Sequence, residues 1–134
     1  MNIKICHQIS DVPASQWNNL LENRNPFLSH EFLQALETHQ CAGERLGWRP
    51  CHITIYQGEE LKGAMPLYEK TNSSGEFVFD HSWAEAYHRN GIHYFPKLLS
   101  AVPHTPTLGQ RFLCREEHQE QMFPLLLQAN RVRT

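Results

Sequence analysis

Residues 76–111, EFVFDHSWAEAYHRNGIHYFPKLLSAVPHTPTLGQR, concentrate the unusual chemistry of the chain, and the remaining residues read as the scaffold that carries it. Phe77 and Phe79 alternate with Val78, the period of a strand, and predict a short strand over 76–80 that ends in Asp80. Ser82 and Glu85 stand at capping-box spacing, which predicts a helix over 82–90 with Gly91 closing it. On that helix Trp83 and Tyr87 share a face, while Glu85, His88 and Arg89 lie on or near the other side. Tyr94, Phe95 and Pro96 then lead into Lys97 and the apolar run 98–102. Pro103, Pro106 and Gly109 break the chain into a stiff turn that holds His104 and Thr105 and closes with Arg111.

Outward from that stretch, the N-terminal half alternates strands and helices. Ile3 and Ile5 alternate with Lys4 and Cys6 and predict a first strand at the edge or centre of a sheet. Pro13 suits a first helical turn, and Trp17, Leu20 and Leu21 recur at i, i+3 and i+4, which predicts a helix over 14–22 followed by a turn over 23–26. Ser29 is the N-cap of a second helix with Glu31 in its first turn, a buried stripe of Phe32, Leu33 and Leu36, and Gly43 as its end. His30 and His39 read as solvent-facing. Strands over 52–57 and 61–70 form an antiparallel hairpin through Gly58, Glu59 and Glu60. Gly63 and Pro66 are awkward inside a strand and predict irregular pairing there, beside a ligand. The polar loop 71–75 is long for a tight hairpin and reads as mobile. Downstream, Met122, Phe123, Leu126 and Leu127 share one face of a helix over 115–130, which Pro124 should kink or displace.

With 134 residues the chain builds about one core, so residues 1–134 are expected to form a single domain. A composition of 40% hydrophobic and 19% charged residues argues against disorder and fibre. The formal charge of −2 supplies no basic field for DNA and no general affinity for anionic membrane, although nine histidines can move it in acid. Cys6, Cys41, Cys51 and Cys114 form no C-x-x-C pair, so free thiols are expected rather than a zinc ribbon or a redox motif. The first ten residues lack a signal-peptide apolar region, and no apolar stretch is long enough to span a bilayer. A cytoplasmic location is the expectation.

The linear order of these elements carries a resemblance. Phe77-Val78-Phe79-Asp80, the Trp83-Ala84-Glu85-Ala86-Tyr87 helix, Tyr94-Phe95-Pro96-Lys97-Leu98-Leu99 and the 101–111 turn AVPHTPTLGQR resemble the FemAB-like N-acyltransferases, described as peptidoglycan biosynthesis/recognition proteins. Residues 25–33, NPFLSHEFL, and 63–68, GAMPLY, look like the same family's N-terminal signatures. The resemblance implies an α+β fold, a GNAT-like and mainly antiparallel sheet with flanking helices. Its members have two related acyltransferase-like halves and are much longer. The resemblance therefore implies that 1–134 is the front of the first half, that its sheet is incomplete at the C-terminal end, and that it has little or no activity alone. An open sheet edge exposes unpaired backbone groups and invites a partner chain or a second copy.

Asp80, at the end of an apolar strand, is placed either to bind a ligand in a cleft or to cap the helix that follows. Lys97 and Arg111, set among aromatics and prolines, are candidates for holding a phosphate or carboxylate, with salt bridges to Asp80 or Glu85 as the alternative. Trp83, Tyr87 and Tyr94 either stack on a substrate or pack against neighbours. The 107–111 turn suits the pyrophosphate of a coenzyme A thioester only weakly, because one glycine makes a poor phosphate loop. In Fem-type relatives the donor is an aminoacyl-tRNA, so acyl-CoA and aminoacyl-tRNA both stand as donors and the acceptor is a small molecule or cell-wall precursor. His81, Glu85 and His88 could be drawn as a metal site with His93, but a helix beginning at Ser82 leaves His81 outside it, and no metal is expected. Cys114 with His104 or His118 lacks any other feature of a cysteine hydrolase. The catalytic residues themselves stay unassigned.

Overall fold

One long, bent hairpin over residues 48–70 organises the molecule, because its two halves belong to two different sheets. A computed structural model describes residues 1–21, 25–77, 80–107 and 109–133. The helix expected over 14–22 ends at Asn18; Glu22, the turn at 23–24, Val78 and Phe79 of the expected strand, and Leu108 lie outside the described residues. The strands are β1 (Asn2–Cys6), β2 (Trp48–Pro50), β3 (His52–Gln57), β4 (Glu60–Met65), β5 (Tyr68–Lys70), β6 (Lys97–Leu99) and β7 (Leu113–Cys114). The helices are α1 (Ala14–Asn18), α2 (His30–Thr38), α3 (His81–Arg89) and α4 (Gln119–Arg133).

The fold is α+β. A four-stranded sheet has the order β1-β3-β4-β7, a three-stranded sheet the order β2-β5-β6, and every pairing is antiparallel. The hairpin changes sheet at Cys51 and Leu67, where the Cys51 N–H still donates to the Leu67 carbonyl at 2.9 Å. Pro66 sits at this corner, where a missing donor costs no ladder bond. Its carbonyl accepts from Ser100 Oγ at 2.6 Å.

The irregularity expected at Gly63 is a bulge: Ile55 pairs with Gly63 and Tyr56 with Leu61, so Lys62 is the extra residue. No ligand is needed to explain the glycine. A Cβ at position 63 would stand 3.2 Å from Met122 Sδ, so the bare backbone is what lets α4 lie close on the sheet. β1 is an edge strand, with Ile3 and Ile5 partly exposed. The short strands β2, β6 and β7 carry too few residues for an alternation to show in the sequence.

The four-stranded sheet is covered on both faces. On one, Ile9, Trp17, Leu28, Leu33, Leu61 and Leu113 pack beneath α1 and α2; on the other, Ile53, Ile55, Met65, Met122 and Leu126 pack beneath α4. Fully burying one such side chain contributes about 1.5–3 kcal/mol. Trp17 also donates its indole N–H to the Leu28 carbonyl at 3.0 Å. Ser29 caps α2 through its side chain, accepting from the Phe32 N–H. The helix ends at Thr38 rather than Gly43, and Gln40 takes the left-handed φ of 57° just beyond it. His30 is buried rather than solvent-facing, with Nε2 bonded to the Ile9 carbonyl at 2.8 Å. α3 starts two residues earlier than its capping box implied, with Asp80 rather than Ser82 at the N-cap position. Gly91, at φ 71°, ends it, a conformation that glycine adopts without penalty. A 3-10 turn over Glu116–His118 leads into α4, which runs through Pro124.

Candidate functional site

The alternation in β5 places Tyr68 and Lys70 on the same inward face, and both are fully buried. β5 pairs with β6 in a register that sets Lys70 directly opposite Lys97. Like charges facing each other across a ladder repel. Glu76 lies between them: Lys97 Nζ donates to its Oε1 at 2.8 Å, and Lys70 Nζ lies 3.8 Å from its Oε2.

Glu76 holds this position because the loop before it is hydrogen-bonded to the rest of the fold. Ser74 O accepts from Lys70 Nζ at 2.8 Å and from the Trp48 indole at 3.1 Å, and Gly75 O accepts from the His104 N–H at 3.0 Å. The Lys70 ammonium also sits 3.8 Å from the centroid of the Trp48 ring, a cation–π contact in a desolvated place. Burial, outweighing Glu76, pulls the Lys70 pKa down to about 8.

Asp80 completes the cluster. Its Oδ2 accepts from Lys97 Nζ and from the Tyr94 hydroxyl, both at 2.6 Å. Burial alone would raise this carboxyl, but donation from Lys97 and Tyr94 holds it well below the usual carboxylate range. Lys97 shows the mirror image: burial pulls its ammonium down, yet Asp80 and Glu76 raise it above the ordinary lysine value. Tyr94 is raised because its hydroxyl donates to Asp80. Among the described residues, Asp80 Oδ1 and Glu76 Oε2 are buried without a hydrogen-bond partner.

Of the two roles open for Asp80, capping is absent from its side chain, which makes no hydrogen bond to the helix it precedes. Of the two open for Lys97, the salt bridge is the one present. With Ser73 Oγ at 3.1 Å as its third acceptor, all three ammonium hydrogens are engaged.

The aromatic candidates lie alongside. Tyr87 packs edge-on against Tyr94 at 5.1 Å, and Tyr94 against Phe95 at 5.0 Å. Trp83 of α3 is 64% exposed, and Phe77, ahead of the helix, is 59% exposed, so both present aromatic surface to solvent. Phe77 takes a left-handed φ of 59°, so the expected strand does not run through it. Arg111 stands apart from the cluster. Its guanidinium donates to the carbonyls of Thr107, Gly109 and Gln110, and burial lowers its pKa.

Three members of the cluster, Lys70, Ser73 and Glu76, were not singled out from the sequence. The alternation that turns Tyr68 inward turns Lys70 inward too and was the available signal. His81 proves to be inside α3, and among the described residues no group of three or more His, Cys, Asp or Glu is placed to hold a metal ion. Cys114 is buried in β7 opposite Gly63.

The fold and the cluster together define an α+β protein whose buried carboxylate sits beside an exposed aromatic helix. Residues 8–133 match the family described as FemAB-like, peptidoglycan biosynthesis/recognition, and the chain belongs to that family. Comparison with curated proteins and with solved structures gave no match. Among the described residues, no helix is long and apolar enough to cross a membrane.

Proposed function

We propose that this chain supplies substrate recognition for an N-acyl transfer of the FemAB-like kind, in which a substrate amine attacks an activated acyl or aminoacyl carbonyl. The family match supports the link to peptidoglycan. The mixed antiparallel architecture is compatible with the front of a GNAT-like domain. The observation that carries the reading is the Asp80 carboxylate: charged, fixed through Oδ2 by Lys97 and Tyr94, and left with a buried Oδ1 that has no donor among the described residues. Such an oxygen accepts a hydrogen bond from an amine or hydroxyl and orients it. Trp83 and Tyr87 wall the approach, and Arg111 is a candidate for an anionic group of the donor. Lys97 positions Asp80 instead of taking an anion itself, since its three hydrogens are already committed.

The reaction would depend on positioning and on backbone donors that stabilise the tetrahedral intermediate. We expect residues 1–134 to bind an amine-bearing peptidoglycan-precursor peptide and to show little or no acyl transfer. A thermal-melt titration with such a peptide should stabilise the wild type and fail in Asp80→Asn. Equal stabilisation of both proteins would remove Asp80 from the reading. Incubation with acyl-CoA or aminoacyl-tRNA and the same peptide tests the rest, and robust turnover would refute the expectation of low activity. The saturation of Lys97 favours a second reading, a recognition module without chemistry. Binding without product, persisting in complexes with a partner chain, would single it out.

A further inference from the structure

A second carboxylate, far from the cluster in sequence, is fixed in a different cleft. Glu37 lies in the last turn of α2, where the negative end of the helix dipole disfavours an acid. It is held there from behind. Oε1 accepts from the Ile9 N–H at 3.0 Å, and Oε2 bonds to His52 Nε2 at 3.1 Å. The His52 ring is fully buried, and its Nδ1 is 3.1 Å from the Leu67 N–H, which can only donate. Nδ1 is therefore the acceptor, and the ring proton sits on Nε2, aimed at Glu37. Both groups that grip the carboxylate are neutral donors, and no Lys or Arg among the described residues forms an ion pair with it.

The Glu37 side chain is only 14% exposed and lines a cleft of about 340 Å³ between the chain following β1, the end of α2 and Gly43. Gln8, Ser10, Gln34 and Thr38 provide neutral hydrogen-bonding groups around it, the His7 ring lines it too with Nδ1 bonded to the Pro50 carbonyl at 3.2 Å, and among the described residues no Lys or Arg lines the space. A mostly buried charge without a counter-ion is costly, and a cation in the cleft removes that cost. Ala42, Gly43 and Pro50 make the rest of the wall apolar, so the lining suits an ammonium on a small body that carries both a hydrogen-bonding group and some carbon.

We propose that this cleft binds a small polar molecule through a primary ammonium group, with Glu37 as its counter-charge and His52 as the residue that positions Glu37. The site shares no residue with the Asp80 cluster and stands independently of the acyl-transfer reading.

Glycinamide, which carries an ammonium and an amide, is the probe, and N-acetylglycinamide is its uncharged control. Two-dimensional amide NMR of the full chain should show saturable shifts at Gln34, Thr38 and Gly43 with glycinamide and none with the control. Glu37→Gln should weaken binding at least about tenfold. Because that substitution also sets an amide against the His52 proton, a second variant leaves the dyad untouched. A Cβ at Gly43 meets nothing within 4 Å and the residue is extended at φ 173°, so Gly43→Leu fills the cleft without strain. It should abolish the shifts while the melting temperature of the free protein stays put. Asp80→Asn should bind glycinamide as the wild type does. Equal responses to both probes, no response to glycinamide, or undiminished binding in Gly43→Leu would each overturn the proposal.

Discussion

At Lys97 one ammonium meets three acceptors, Ser73, Glu76 and Asp80, in a place only 15% exposed. Removing it leaves two mostly buried carboxylates without their cation. Breaking such a pair costs far more than a surface salt bridge is worth. Lys97→Met should therefore destabilise the fold by about 3 kcal/mol, read from urea unfolding at neutral pH. The same cluster sets the pH response. Asp80 has a folded pKa below its ordinary 3.8, so its contribution is complete above that value and is lost as the pH falls beneath it. Asp80→Asn should flatten the acid limb of the stability curve there. Lys70 acts with the opposite sign. Its pKa is lowered from 10.5 to about 8, so between these values the unfolded chain holds more protons and stability rises with pH. Unfolding measured at intervals from pH 8 to 10.5 should show that rise in the wild type and lose it in Lys70→Met, other groups being common to both.

Among the elements, α4 depends on an absence. Met122 lies where a side chain at position 63 would go, and a β-branched residue there must push the helix from the sheet. Gly63→Val should cost about 1–3 kcal/mol, the usual penalty for overpacking. Met122→Ala in the same chain should recover part of it, and a double-mutant cycle measures the coupling. α3 stands at the other extreme. None of its residues is buried, and its anchors are the Tyr87–Tyr94 contact and the bonds of Asp80 at its start. Its amides should exchange with solvent faster than those of α2, whose Leu33 is fully buried and whose start is capped by Ser29.

For the molecule as a whole, the shared hairpin means that neither sheet can open without disturbing the other. Trp17 belongs to the core beneath α1 and α2, while Trp48 packs against Tyr68 in a separate cluster on the smaller sheet. A chain carrying Trp83→Phe, which leaves these two indoles as reporters, should unfold in one transition that coincides by fluorescence and far-ultraviolet circular dichroism. Two separated transitions would show that the sheets are independent.

Local signals in the sequence determined the α+β class, the hairpin at 52–65, the Ser29 cap, the helices near α2, α3 and α4, and the resemblance that the family match bears out. Each rests on neighbours within a few residues, where periodicity and capping chemistry act. It also brought Asp80, Lys97, Trp83 and Tyr87 forward, with a salt bridge from Lys97 to Asp80 or Glu85 left as one of two alternatives. Only the tertiary structure decided that Lys97 meets Asp80 and Glu76, that Arg111 bonds to its own turn, and that Glu37 and His52 form a dyad. Strand register fixes the first of these: the pairing of Lys70 with Lys97 spans a long stretch of chain, and a slip of β6 by one residue would turn Lys97 to the other face. Charge partners chosen across such distances depend on how sheets and helices close on one another, a property that no local pattern encodes.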